Sequence, residues 1–288
     1  MSDQTAVPFS LRTEILASTD GEPVAVHHLG GDGPPLVLGH GNGLNAGMWA
    51  AAVPHLRERF SCYGVDLRGH GVCRPVDPDY AITWEQFAAD VITVIDHLGG
   101  PVAYAGHSLG GATGTEATLQ RPDLISGLWL FEPILFTADR PAADGPSMLV
   151  EATVRRRMEF DSVDDAVNRL GSKPPFNRCD PVAVREYLTI GTFPVPGGVR
   201  LSCDRKDEAR VFAGTSPVDF DRLAGVSVPV RVVRGGSADA ANAGPADFAP
   251  LVAKVFGVDL EEHAPLSHFG PMEDGALIAR SIIDHFGA

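Results

Sequence analysis

Val102-Ala103-Tyr104-Ala105-Gly106-His107-Ser108-Leu109-Gly110-Gly111 is the stretch whose reading decides the fold. Its first four residues are apolar without interruption, as a strand buried on both faces of a parallel sheet requires. Leu109 to Gln120 carries helical spacing. Between strand and helix, Gly106-His107-Ser108-Leu109-Gly110 fits G-x-S-x-G. The glycines allow a turn so sharp that neighbouring Cβ atoms would collide. Such a turn lifts the Ser108 hydroxyl above the carboxyl edge of the sheet. It also leaves the Leu109 amide at a helix N-terminus, where negative charge is stabilised.

Working outward, strand and helix alternate. Leu11–Ser18 and Val24–Leu29 read as strands around the turn Asp20-Gly21-Glu22-Pro23. Leu36-Val37-Leu38, Cys62–Val65, Gly127–Phe131, Val228–Val233 and Val258–Glu262 read as further strands. Helical spacing covers Met48–Arg59, Ala246–Phe256 and Glu273–Phe286, and Thr83 with Gln86 marks the capped start of a helix to Leu98. This order predicts an α/β fold: a mostly parallel sheet with helices on both faces and right-handed crossovers.

The alternation breaks between about Thr137 and Ala224. Helix-like pieces at Ser147–Phe160, Ser162–Leu170 and Pro181–Ile190 are separated there by Lys173-Pro174-Pro175 and Pro194-Val195-Pro196-Gly197-Gly198. An insertion between two core strands predicts a helical lid over residues 137–224, late in the sheet, on a core of residues 1–136 and 225–288. The run Arg155-Arg156-Arg157 reads as the solvated face of a lid helix.

Composition narrows the partners. Apolar residues make up 44% and charged residues 21% of 288, ordinary for a globular chain. The formal net charge of −14 argues against nucleic acid. No run reaches the ~18–20 apolar residues needed to span a bilayer. Cys62, Cys73, Cys179 and Cys203 are widely spaced and match neither a disulfide framework nor a zinc site. A cytoplasmic setting, no membrane partner and a small-molecule substrate are the expectations, with a homodimer left open. The residues call for no metal and no organic cofactor.

His40-Gly41-Asn42-Gly43 follows the strand Leu36–Leu38. The loop after that strand supplies the second N–H donor for a developing oxyanion in this kind of sheet, so the Asn42 amide is paired with that of Leu109. A dinucleotide loop does not fit, because G-x-G-x-x-G would need glycine at Leu44.

The set His40-Gly41, Asp66-Leu67-Arg68-Gly69-His70-Gly71, Gly106 to Gly111 and Ser267-His268-Phe269-Gly270-Pro271-Met272-Glu273 resembles the α/β-hydrolase fold superfamily, in particular its lidded, cofactor-free esterases and lactonases. The resemblance implies a triad in the order serine, acid, histidine. Ser108 is then the nucleophile. His268, between the last strand and the last helix, is the base in preference to His263. Asp66 and Arg68 are implied to be structural.

The acid has two candidates. The superfamily's commoner position lies after Pro229–Val233, where Asp239 fits with a one-residue shift and Ala238 fills the unshifted place. The other follows the preceding strand, where Glu132 ends Leu130-Phe131-Glu132. Either carboxylate could orient the imidazole. The implied reaction is hydrolysis of a small or medium ester, thioester or lactone through an acyl-enzyme. A slow-turnover small-molecule receptor on the same fold, or a perhydrolase or carbon–carbon bond hydrolase with the same triad, are the alternatives.

Overall fold

The computed structural model describes residues 9–10, 12–75, 77, 79–135, 148–213, 220–236 and 245–287. Eight strands form the main sheet: β1 (Arg12–Ala17), β2 (Pro23–Gly30), β3 (Pro35–Gly39), β4 (Ser61–Asp66), β5 (Val102–His107), β6 (Ile125–Phe131) and, after an insertion, β10 (Val230–Gly235) and β11 (Leu260–His263). Their spatial order is β1-β2-β4-β3-β5-β6-β10-β11. β1 and β2 run antiparallel to their neighbours, and every later pairing is parallel.

The uninterrupted apolar strands follow from burial on two faces. Leu36 and Leu38 enter one hydrophobic layer and Val37 the other; Trp129 and Phe131 likewise alternate with Leu128 and Leu130. Side chains of successive strand residues point to opposite faces, so both layers must be fed from the same short run. Each such side chain, fully buried, contributes about 1.5–3 kcal/mol.

Around the sheet lie α1 (Val53–Leu56), α2 (Trp84–Leu98), α3 (Leu109–Gln120), α9 (Pro245–Phe256), α10 (Gly270–Glu273) and α11 (Gly275–Phe286). α2, α3 and α9 cover the Val37 face. α11 covers the other with Ile278, Ala279 and Ile282. Thr83 caps α2 through Oγ1, which accepts from the Gln86 amide at 3.3 Å. The expected helix over Met48–Arg59 is a 3₁₀ turn at Ala46–Trp49 followed by α1, because Pro54 lacks the N–H that would continue it.

Between β6 and β10 the chain forms α4 (Met148–Val154), β7 (Glu159–Phe160), α5 (Val163–Gly171), α6 (Pro181–Ile190), β8 (Thr192–Val195), β9 (Gly198–Leu201), α7 (Arg205–Ala213) and α8 (Phe220–Leu223). This segment is not helical throughout. Pro196-Gly197 is the turn of a hairpin, and β7, β9 and β8 form a small antiparallel sheet. Four-residue strands carry too little alternation to separate from a loop in sequence.

A second correction concerns the arginine run. Arg155 is exposed beside Glu151, but Arg156 is largely buried and paired with Glu208 of α7 at 2.5 Å. Arg156 also donates to the Cys203 carbonyl at 3.0 Å. It lies past the end of α4 and turns inward, away from the solvated face.

Candidate active site

The turn between β5 and α3 puts Ser108 at φ 52°, ψ −111°. A Cβ on Gly106 would lie 2.6 Å from the Gly110 carbonyl oxygen, so only glycine admits this approach. Backbone bonds over-determine the turn. Ser108 N donates to Phe131 O at 3.0 Å, Gly110 N to His40 O at 2.8 Å, and Ile134 N to Ser108 O at 3.2 Å.

The neighbouring strand ends in the same way. Glu132, the residue after β6, has φ 44°. Among the described residues, Ser108 and Glu132 are the two non-glycine residues with positive φ. A conformation costing about 1–3 kcal/mol persists only where surrounding bonds hold it, and such residues gather at functional sites. For Glu132 the bonds come from β10: its amide donates to Val233 O at 2.9 Å, and Gly235 N donates to its Oε1 at 2.8 Å.

The carboxylate is fully buried, and Oε2 lies 2.6 Å from His268 Nδ1. The imidazole therefore donates from Nδ1, which leaves the lone pair of the neutral ring on Nε2. His268 sits in the loop between β11 and α10, as its sequence position predicts. Asp239, the other candidate acid, lies outside the described residues. His263 ends β11 and faces Glu261, with Nε2 2.8 Å from Oε1.

Two buried histidines brace the loop His40–Gly43. His40 donates from Nδ1 to Gly41 O at 2.8 Å and accepts from the Leu67 amide at Nε2, 3.1 Å. His70 donates from Nδ1 to Arg68 O and accepts from the Gly43 amide at 3.1 Å. Burial lowers the pKa of both, that of His70 to about 3, so each stays neutral in one tautomer. Asp66 anchors the same loops by accepting from the Ala46 and Val72 amides, at 2.8 and 2.9 Å.

The Asn42 side chain donates to Glu208 O of α7 at 3.0 Å, and Tyr187 of α6 donates to Gly43 O at 3.1 Å. Neither the Asn42 nor the Leu109 amide donates to a backbone carbonyl among the described residues. Among those residues no group of His, Cys, Asp and Glu is arranged to hold a metal, and no helix is long and apolar enough to cross a membrane.

The sequence profile of the alpha/beta hydrolase family matches residues 36–281. The chain belongs to that family. This alpha/beta hydrolase is 34% identical over 129 residues to a pimeloyl-[acyl-carrier protein] methyl ester esterase of Nitrosomonas europaea. That match covers 45% of this chain and about half, 48%, of the esterase. It is 34% identical over 192 residues to karrikin insensitive 2 receptor IA of Petunia hybrida, covering 59% of this chain and 69% of the receptor. Among solved structures it superposes on E-2-(acetamidomethylene)succinate hydrolase with TM-score 0.72 at 21% identity, over 96% of this chain and 99% of that one. At that identity the likeness is one of fold.

Two features of this alpha/beta hydrolase had no signal in the sequence. One is the Gly235 amide on Glu132, which depends on strand register. The other is His107, which reads only as the variable residue of the elbow. It is buried, and its Nε2 donates to the His268 carbonyl at 2.7 Å across 161 residues of sequence.

Proposed function

We propose that the protein is a serine-nucleophile hydrolase cleaving a carboxylic ester, thioester or lactone through an acyl-enzyme. The observation that carries this reading is the pair of strained residues, Ser108 and Glu132, on adjacent strand ends, with His268 bonded to the second. In the proposed reaction His268 Nε2 takes the Ser108 proton as Oγ attacks the carbonyl carbon. The Asn42 and Leu109 amides hold the oxyanion. The tetrahedral intermediate collapses, and the leaving group departs with the proton from His268. A water deprotonated by His268 then releases the acid and restores Ser108. Glu132 holds the tautomer and stabilises the imidazolium while it lasts.

The segment 137–224 is proposed as the lid. Its α6 and α7 reach the oxyanion loop directly, through Tyr187 and the Glu208 carbonyl. The name of one relative, a methyl ester esterase 34% identical over 129 residues, supports acyl chemistry.

The likeness to a receptor favours a second reading, in which turnover is slow and the bound molecule is a signal. A panel of activated esters, thioesters and lactones separates the two. A hydrolase turns over at ordinary enzyme rates, about 1 s⁻¹ or faster, on at least one of them and loses this in Ser108→Ala. Turnover orders of magnitude slower across the whole panel would favour the receptor.

A further inference from the structure

His107 lies between the two loops that the proposed reaction must keep in register. Its Nε2 edge faces the His268 carbonyl at 2.7 Å. Its Nδ1 edge faces Gly41, where a Cβ would approach to 2.6 Å. The ring centroid is 4.7 Å from that of His268. The residue is 1% exposed and is the last of β5, so its backbone is fixed by the strand and by the turn that places Ser108.

The bond pattern selects one protonation state. A carbonyl accepts, so Nε2 carries the hydrogen and Nδ1 the lone pair. Nδ1 has no hydrogen-bond partner. Burial and the nearby His268 push the ring's pKa well below the usual value, so the imidazole stays neutral and brings no cation beside the base. A buried acceptor without a partner is costly, and such groups are few in folded proteins. The orphaned Nδ1 is the cost of aiming Nε2 at His268 while the other edge abuts Gly41, which offers it no donor.

We propose that His107 is a positioning residue: its Nε2–H holds the His268 main chain at a fixed height over Ser108 and so keeps the Glu132–His268 pair in register with the oxyanion loop. No part of it touches the reacting atoms. It acts on the base through the base's own backbone, which no local sequence pattern could reveal. The proposal rests on the triad reading above and adds a residue to its support.

Glutamine and asparagine discriminate the role, because their amide nitrogens fall near Nε2 and Nδ1 respectively. His107→Gln keeps a donor aimed at the His268 carbonyl; His107→Asn moves it to the Gly41 side. Both are polar and similar in bulk, so thermal unfolding reports whether either has simply lost its fold.

The expected result is near-normal kcat for His107→Gln. His107→Asn should lose about 10- to 100-fold in kcat with KM little changed, the scale of a small misplacement of a catalytic group. The imidazole titration of His268, followed by NMR, should match the unsubstituted protein in the glutamine variant and be displaced in the asparagine variant. Equal kcat in both variants, whether normal or crippled, would overturn the proposal. So would a change confined to KM and melting temperature, with kcat untouched. The titration needs no turnover, so it still tests His107 if the unsubstituted protein hydrolyses nothing, an outcome that would instead count against the hydrolase reading.

Discussion

The Glu132 carboxylate meets His268 at 2.6 Å, from Oε2 to Nδ1, although 136 residues separate them. The other oxygen is held by the Gly235 amide at 2.8 Å, so the carboxylate has one orientation. A fully buried carboxylate with an imidazole on one oxygen and an amide on the other is placed to stabilise an imidazolium.

Replacing that carboxylate by its amide keeps the shape and removes the charge. Glu132→Gln should therefore be severe. The equivalent change in a serine protease costs about 10⁴ in kcat. Asp239→Asn should leave kcat within a few-fold of normal. Steady-state kinetics on one activated ester check both, and the reverse ranking would move the acid to Asp239.

The base can be tested against its neighbour. Members of a triad act as a unit, so His268→Ala should cost about as much as Ser108→Ala. His263→Ala, which removes a ring paired with Glu261, should spare kcat. A crippled His263 variant beside an active His268 variant would contradict the assignment.

Acid should destabilise the fold through the buried histidines that brace the loop His40–Gly43. The folded pKa of His70 is depressed to about 3 by burial, below the unfolded value near 6.5. Its contribution is present above about pH 6.5 and is lost as pH falls toward 3, because only the unfolded state takes the proton. His40 and His107 are shifted in the same direction. Glu208 and Asp90, raised by burial, tilt stability the other way. The clean measurement is the difference between the protein and His70→Gln in urea unfolding from pH 6 to pH 4. The variant's slope should be shallower by about 1.4 kcal/mol per pH unit, one proton's worth. Identical slopes would mean that His70 is protonated in the fold.

Arg156 and Glu208 should behave as a buried pair. Arg156→Met leaves a carboxylate in a site that water scarcely reaches and should cost about 3 kcal/mol, the low end for a broken buried pair. Adding Glu208→Met should restore part of that loss, as chemical denaturation of the two variants would show. Equal or greater loss in the double variant would mean that the pair's charge carries no penalty when broken.

The strand–turn–helix at Ser108 was legible because its chemistry is local: an apolar run, two glycines and a helical repeat within twenty residues. The position of His268 was legible from the order of elements. The choice between Glu132 and Asp239 was open because frame counting sees distance along a strand and nothing of its end. What places Glu132 is a positive φ and two bonds to β10, from its amide to Val233 O and from the Gly235 amide to its carboxylate. The small β7-β9-β8 sheet was invisible for a different reason: its strands hold at most two alternations. Arg156 was read as solvated because an arginine run on a helix usually is, and the α4–α7 packing that buries it is nonlocal.

The most direct test is to trap the acyl group. Mixed rapidly with an activated ester and quenched in acid, the protein should show a burst of about one equivalent of leaving group. Its mass should rise by one acyl unit, mapping to Ser108. A fluorophosphonate probe should label the same residue, and Ser108→Ala should abolish burst, adduct and labelling together. An adduct on another residue, or undiminished labelling of Ser108→Ala, would contradict the assignment of Ser108 as the nucleophile.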